Sequence, residues 1–162
     1  MTSTQFVPTL AQPRALDTIV WGGLVAGVLD SVDAVVAFGL KGMNPIQVLQ
    51  FIASGLLGPD SFKGGIATAA LGAVLHFFIA FVAAGVYYAA SLKLPALHRQ
   101  ATTWGLTFGV VVYFFMNYLV LPLSAVPKGP FSLPLFLNGV IGHAIFVGLP
   151  IAWFARRSTH RK

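Results

Sequence analysis

The chain has 162 residues, 57% of them hydrophobic and 9% charged, with a mean hydropathy of +0.83. Soluble domains carry roughly 25% charged residues, so water could not solvate this surface and the class is integral membrane. The net charge of +6 does not point to nucleic acid, because the basic residues flank apolar runs and form no basic face interleaved with aromatics. There is no cysteine, which excludes disulfides, thiolate metal sites and thiol nucleophiles.

Residues 1–17 read as a polar, proline-punctuated cytoplasmic tail. The first apolar run, Ile19 to Leu40, is too long for a signal-peptide core and no small-residue cleavage site follows it, so an uncleaved first span is expected. Four runs, about 18–40, 65–91, 102–122 and 133–155, each reach the ~20 helical residues that a hydrocarbon core of ~30 Å requires. They are continuous rather than alternating, and lipid demands internally satisfied backbones, so they are helices. The expected fold is all-α: a single four-helix transmembrane domain over 18–155, with a basic tail at 156–162 that meets anionic lipid.

The first outer loop holds an element of its own over about 45–57. Asn44 can cap a helix and Pro45 suits its first turn. Gln47, Gln50 and Ser54 share one face by spacing and apolar residues cover most of the rest, so a short amphipathic or re-entrant helix is expected. The second outer loop, Pro122 to Pro134, carries four prolines and should be stiff and extended.

Arg14, Lys93, Arg99, Arg156, Arg157, Arg161 and Lys162 fall on one side of this arrangement, and Lys41, Lys63 and Lys128 on the other. The positive-inside rule then puts both termini in the cytoplasm. Trp21, Trp104 and Trp153 lie near the cytoplasmic ends of their spans, as interfacial aromatics do.

The two halves resemble each other. Span one carries Gly23-Leu24-Val25-Ala26-Gly27 and span three Gly105-Leu106-Thr107-Phe108-Gly109, both just after a tryptophan. Spans two and four carry Gly72 before His76 and Gly139 before His143, each four residues apart. A tandem two-span repeat about an axis along the membrane normal is one reading; chance recurrence of a common glycine spacing is the other.

Small residues form stripes at helical spacing, and the informative polar residues ride on them. Asp30 extends the Gly23, Gly27 stripe, and His76 lies among Gly65, Ala69, Gly72, Ala80 and Ala83. At ~1.5 Å per residue, Asp30, His76 and His143 all fall ~15–18 Å into their spans, near the midplane. Asp33 lies about one turn outward, and Tyr113 and Asn117 of span three are at a similar level. An ionised aspartate at mid-span costs ~2.5–3.5 kcal/mol on insertion scales, so it needs a reason.

Three readings of Asp30, Asp33, His76, His143, Asn117 and Tyr113 follow. The buried polar site handles protons or ions. Alternatively, it is structural glue in a non-catalytic accessory or assembly subunit of a larger membrane complex. In the third, His76 and His143 at equal depth ligate a haem iron, or another metal, from both sides. Four spans are few for a monomeric transporter, so the first reading expects a homo-oligomer or a larger complex. No GxSxG, Walker A or HExxH motif is present, and Ser124 and Ser132 have no local activating partner, so no enzyme is expected.

Gln50 to Gly58, Ala69-Ala70-Leu71-Gly72 with His76-Phe77, the Tyr87-Tyr88 pair, and Met116-Asn117-Tyr118 followed by Leu121-Pro122-Leu123-Ser124 resemble a group of small, uncharacterised four-span bacterial inner-membrane proteins. The resemblance runs from about Trp21 to Arg157. It implies the topology and a bacterial plasma membrane, and carries no assigned activity.

Overall fold

A computed structural model describes residues 14–160. Its elements are α1 (Asp17–Gly39), α2 (Pro45–Leu57), α3 (Gly65–Lys93), the short α4 (Ala96–Arg99), α5 (Ala101–Leu123) and α6 (Leu133–Thr159). Among the described residues every regular element is helical, and α1, α3, α5 and α6 are long and apolar enough to cross a membrane. The chain is therefore a four-helix bundle of multi-pass type. The expected N-terminal tail lies almost wholly outside the described residues, as do Arg161 and Lys162. Arg156 and Arg157 belong to the last turns of α6 rather than to a separate tail, where basic side chains complement the helix dipole.

Both described ends of the chain lie at one end of the bundle, here called the terminal end; α2 and the segment 124–132 form the opposite, loop end. Glycines set the closeness of the long helices. Gly23 and Gly27 of α1 lie against the rings of Phe81 and Phe77 on α3, and Gly22 against the Ile151 backbone on α6. Gly105 and Gly109 of α5 meet α6 more intimately. A side chain at Gly105 would reach the Gly148 carbonyl, and one at Gly109 would overlap the backbone at His143 and Ala144. In each half the Gly-x-x-x-Gly face thus packs on the second span of its own half, but α5–α6 is a backbone-on-backbone contact and α1–α3 is cushioned by phenylalanine.

The best-packed core is at the terminal end, where Tyr87, Ile151, Ala26, Ala101, Ala152 and Ala155 are almost fully buried. The Tyr87 hydroxyl donates to the Leu97 carbonyl at 2.6 Å, pinning the α3–α4 connection, and its ring meets Phe108 of α5 edge-on at 5.0 Å. Tyr87→Phe keeps the ring and leaves that carbonyl without its donor. It should lower stability by about 1–2 kcal/mol, read as an earlier thermal or SDS unfolding midpoint; an unmoved midpoint would show that the bond contributes nothing.

Helix α2 begins as its sequence dictates. Asn44 and Gln47 form a reciprocal capping box, with bonds of 3.0 and 2.9 Å, and Pro45 occupies the first turn. Its polar stripe, however, is not solvent-facing. Gln50 and Ser54 are buried with Ala53, and the Gln50 amide donates to the Gly65 carbonyl at 3.0 Å and to Thr68 at 3.3 Å. Only Gln47 is exposed. The α2 backbone at Leu49 sits directly on Gly72, where any side chain would overlap it. The loop-end half of the α3 small-residue stripe therefore receives α2, not another span.

The loop expected from Pro122 to Pro134 is shorter than its prolines indicated. Pro122 lies in the last turn of α5 and Pro134 in the first turn of α6, leaving 124–132 irregular. Three helices widen locally: α1 at Asp17–Gly22, with no proline nearby downstream, and two others just before a proline. α5 widens into a π-helical turn at Met116–Val120, just before Pro122, and α6 does the same at His143–Gly148, just before Pro150. Proline lacks the N–H and crowds the carbonyl four residues back. A wider turn accommodates the lost bond without breaking the helix.

Candidate functional site

Asp30, His76 and His143 meet. The Gly23–Gly27 face carries α1 onto α3, and Asp30, three residues beyond Gly27, continues that face toward the bundle axis. His76 of α3 crosses to α1: its Nε2 lies 2.9 Å from the Gly27 carbonyl oxygen and 4.0 Å from Asp30 Oδ2. A carbonyl can only accept, so Nε2 carries the proton and donates. From the other side, His143 places Nδ1 at 3.7 Å from Asp30 Oδ1. His143 is the first residue of the widened turn of α6. The three side chains are largely buried, with 12, 17 and 23% of His76, Asp30 and His143 exposed.

The geometry leaves both partners short of saturation. His143 Nδ1 is buried and has no hydrogen-bond partner, and among the described residues Asp30 accepts no hydrogen bond. A buried carboxylate between two imidazoles, within ångström-scale reach of both and bonded to neither, differs from a satisfied interhelical tie.

These groups stand on the wall of a partly open cavity of about 280 Å³ lined by all four spans. The walls are otherwise apolar: Leu75 and Ile79 from α3, Val112 and Met116 from α5, Val147 from α6. At the terminal end the Tyr87–Phe108 contact lies below it. At the loop end Ile52 and Gly55 of α2, with Ser124 and Val126, form a cap. The cap is joined by one backbone bond, from Ala125 N–H to the Gly55 carbonyl at 3.0 Å. Asp30, His76 and His143 are the ionisable groups that line this cavity among the described residues.

The other candidates are placed differently. Asp33 does not line the cavity. It accepts from the Asn138 amide at 2.9 Å, across the α1–α6 interface, with Gly142 leaving it room. Tyr113 packs its ring on Gly139 and edge-on against His143 at 5.4 Å, buttressing that imidazole. Asn117 bonds back to the Tyr113 carbonyl of its own helix at 2.9 Å and does not enter the cluster. Asn138 and the Gly27 carbonyl were not singled out from sequence. Asn138, a polar residue within an apolar run, carried a usable signal; a particular backbone carbonyl carries none.

The axial-ligand arrangement finds no support in this geometry. His76 Nε2 is engaged with Gly27, and both imidazoles converge on the Asp30 carboxylate instead of on an open point between them. Among the described residues no three of His, Cys, Asp and Glu are arranged to hold a metal ion. No protein-family model, curated protein or solved structure matches this chain.

Proposed function

We propose that this is a non-enzymatic membrane protein that moves protons, with Asp30 as the exchanging carboxylate and His76 and His143 as its partners. The observation that carries the reading is the placement of Asp30, 4.0 Å from one imidazole and 3.7 Å from the other, on the wall of a mid-bundle cavity. Imidazole takes up and releases protons near neutral pH, and intramembrane acids facing a cavity mark ion and proton pathways. A small shift of Asp30 would bring it within hydrogen-bond distance of His143, and His76 could join once its Nε2–H leaves the Gly27 carbonyl, so a proton could pass without rearranging the helices. Asp33, saturated by Asn138, serves as a helix tie in this reading. Tyr113 keeps the His143 ring in place.

The setting we propose is a bacterial plasma membrane with both termini cytoplasmic. The asymmetry of basic residues and the tryptophans at the terminal end support that orientation, and the resemblance to the small bacterial four-span group supports the membrane. A homo-oligomer fits the small number of spans. The test is proton uptake into proteoliposomes carrying an imposed pH difference, comparing the parent protein with Asp30→Asn.

A further inference from the structure

We propose that the cavity binds a small apolar amine, its ammonium held by Asp30, and that this amine is what the protein exchanges for protons. The identification of the cargo rests on the proton-exchange reading of Asp30. It is argued from what the site lacks and what its walls are made of.

The site lacks donors. Asp30 lines the cavity and its carboxylate accepts no hydrogen bond among the described residues. The Nδ1 of His143 is buried behind the carboxylate, 3.7 Å from Asp30 Oδ1, and offers the cavity no donor. The Nε2–H of His76 is committed to Gly27. A group with a positive charge and several N–H bonds therefore satisfies what is open, and an ammonium has three. A ligand carboxylate or phosphate would instead meet Asp30 head-on.

The walls decide between a bare cation and an organic one. Sodium, calcium and magnesium ions need several oxygen ligands. Besides Asp30 the cavity wall has one hydroxyl, Ser124, which is already donating to Leu121. The side chains of Ile79, Val112 and Met116 elsewhere on the wall offer no oxygen, but they suit a hydrocarbon body. Size agrees. An engineered apolar cavity of about 150 Å³ holds benzene, so about 280 Å³ has room for one aromatic ring and a short aminoalkyl arm.

The test is equilibrium dialysis of radiolabelled 2-phenylethylamine against the purified protein in detergent, with empty micelles subtracted. We expect saturable binding of about one amine per chain, displaced by benzylamine and not by 2-phenylethanol, which has the same body without the charge. Asp30→Asn should weaken it at least tenfold, as expected for loss of a charge-assisted bond of ~1.5–3 kcal/mol. Ile79→Trp, which fills the cavity without touching the carboxylate, should do the same. Asp33→Asn, one turn along α1 and bonded to Asn138 outside the cavity, should bind as the parent does. If Asp30→Asn does not fold by circular dichroism and gel filtration, Ile79→Trp decides. Absence of saturable binding, or binding unchanged in the folded variants, overturns the proposal. Proton uptake without amine binding would remove the amine and leave the proton reading; amine binding without uptake would leave the site and remove the exchange.

Discussion

Asp30→Asn should reduce proton uptake to the level of empty vesicles while leaving the bundle at least as stable as the parent. The two halves of that result come from one change. The amide keeps the shape of the side chain but cannot take up a proton in this range, so the exchanging group is gone. The same change removes a potential mid-span charge, whose insertion cost is ~2.5–3.5 kcal/mol, and deletes no hydrogen bond, because Asp30 makes none among the described residues. If Asp30 were a structural tie, the opposite pattern would appear: flux retained or never present, and an earlier unfolding midpoint. His76→Gln should fall between, since glutamine can still donate to the Gly27 carbonyl but cannot titrate. Loss of one positioned acid–base group costs on the order of 10²-fold or more. Flux unchanged in Asp30→Asn, or no flux in the parent, would sink the proton reading.

Gly109→Val should unfold or split the bundle. A Cβ at this position would stand 2.6 Å from the Ala144 Cα and closer still to the His143 carbonyl oxygen, and both are backbone atoms that no rotamer change can move. Inserting extra carbons into a packed interior costs ~1–3 kcal/mol when side chains can yield. Here they cannot, so a loss of about 3 kcal/mol or more is expected. Gly23 provides the comparison, because its nearest obstacle is the edge of the Phe81 ring at 2.6 Å, which can swing aside. Gly85→Ala, with nothing within 4 Å, should be neutral or gain up to ~1 kcal/mol of helix propensity. The three midpoints, read by SDS or thermal unfolding, should fall in the order Gly109→Val, Gly23→Ala, Gly85→Ala, lowest first. A Gly109→Val protein as stable as the parent would mean that α5 and α6 do not approach this closely.

The spans were legible because a membrane imposes one rule on every residue it touches, and length and apolarity report it directly. Asp30, His76 and His143 were legible as a group for a related reason. Depth follows from counting at a fixed rise, and a small-residue stripe marks the side a helix turns to its neighbour. Asp33 shows the limit of that method. It sits one turn from Asp30, at nearly the same depth, yet rotation about α1 sends it to Asn138 on α6 and out of the cavity. Rotation by a few tens of degrees is decided by packing, which a single helix's pattern does not contain. Helix α2 shows another limit. Its polar stripe has the spacing of a water-facing surface, but Gln50 and Ser54 point inward because the Gly65 carbonyl and Thr68 are there to receive the amide. Polar periodicity says which residues share a face, and not whether water or another helix supplies their partners.

The cavity's two closures are built from different materials, and this gives the molecule a direction. At the loop end α2 and the segment around Ala125 are joined by a single backbone hydrogen bond, and Gly42 and Gly58, both with positive φ, flank α2 as its natural pivots. At the terminal end the way is blocked by Tyr87 against Phe108 within the most densely buried part of the chain. The loop end is therefore the end that a small local motion can reshape, and the terminal end is the one that fixes how the four spans sit together.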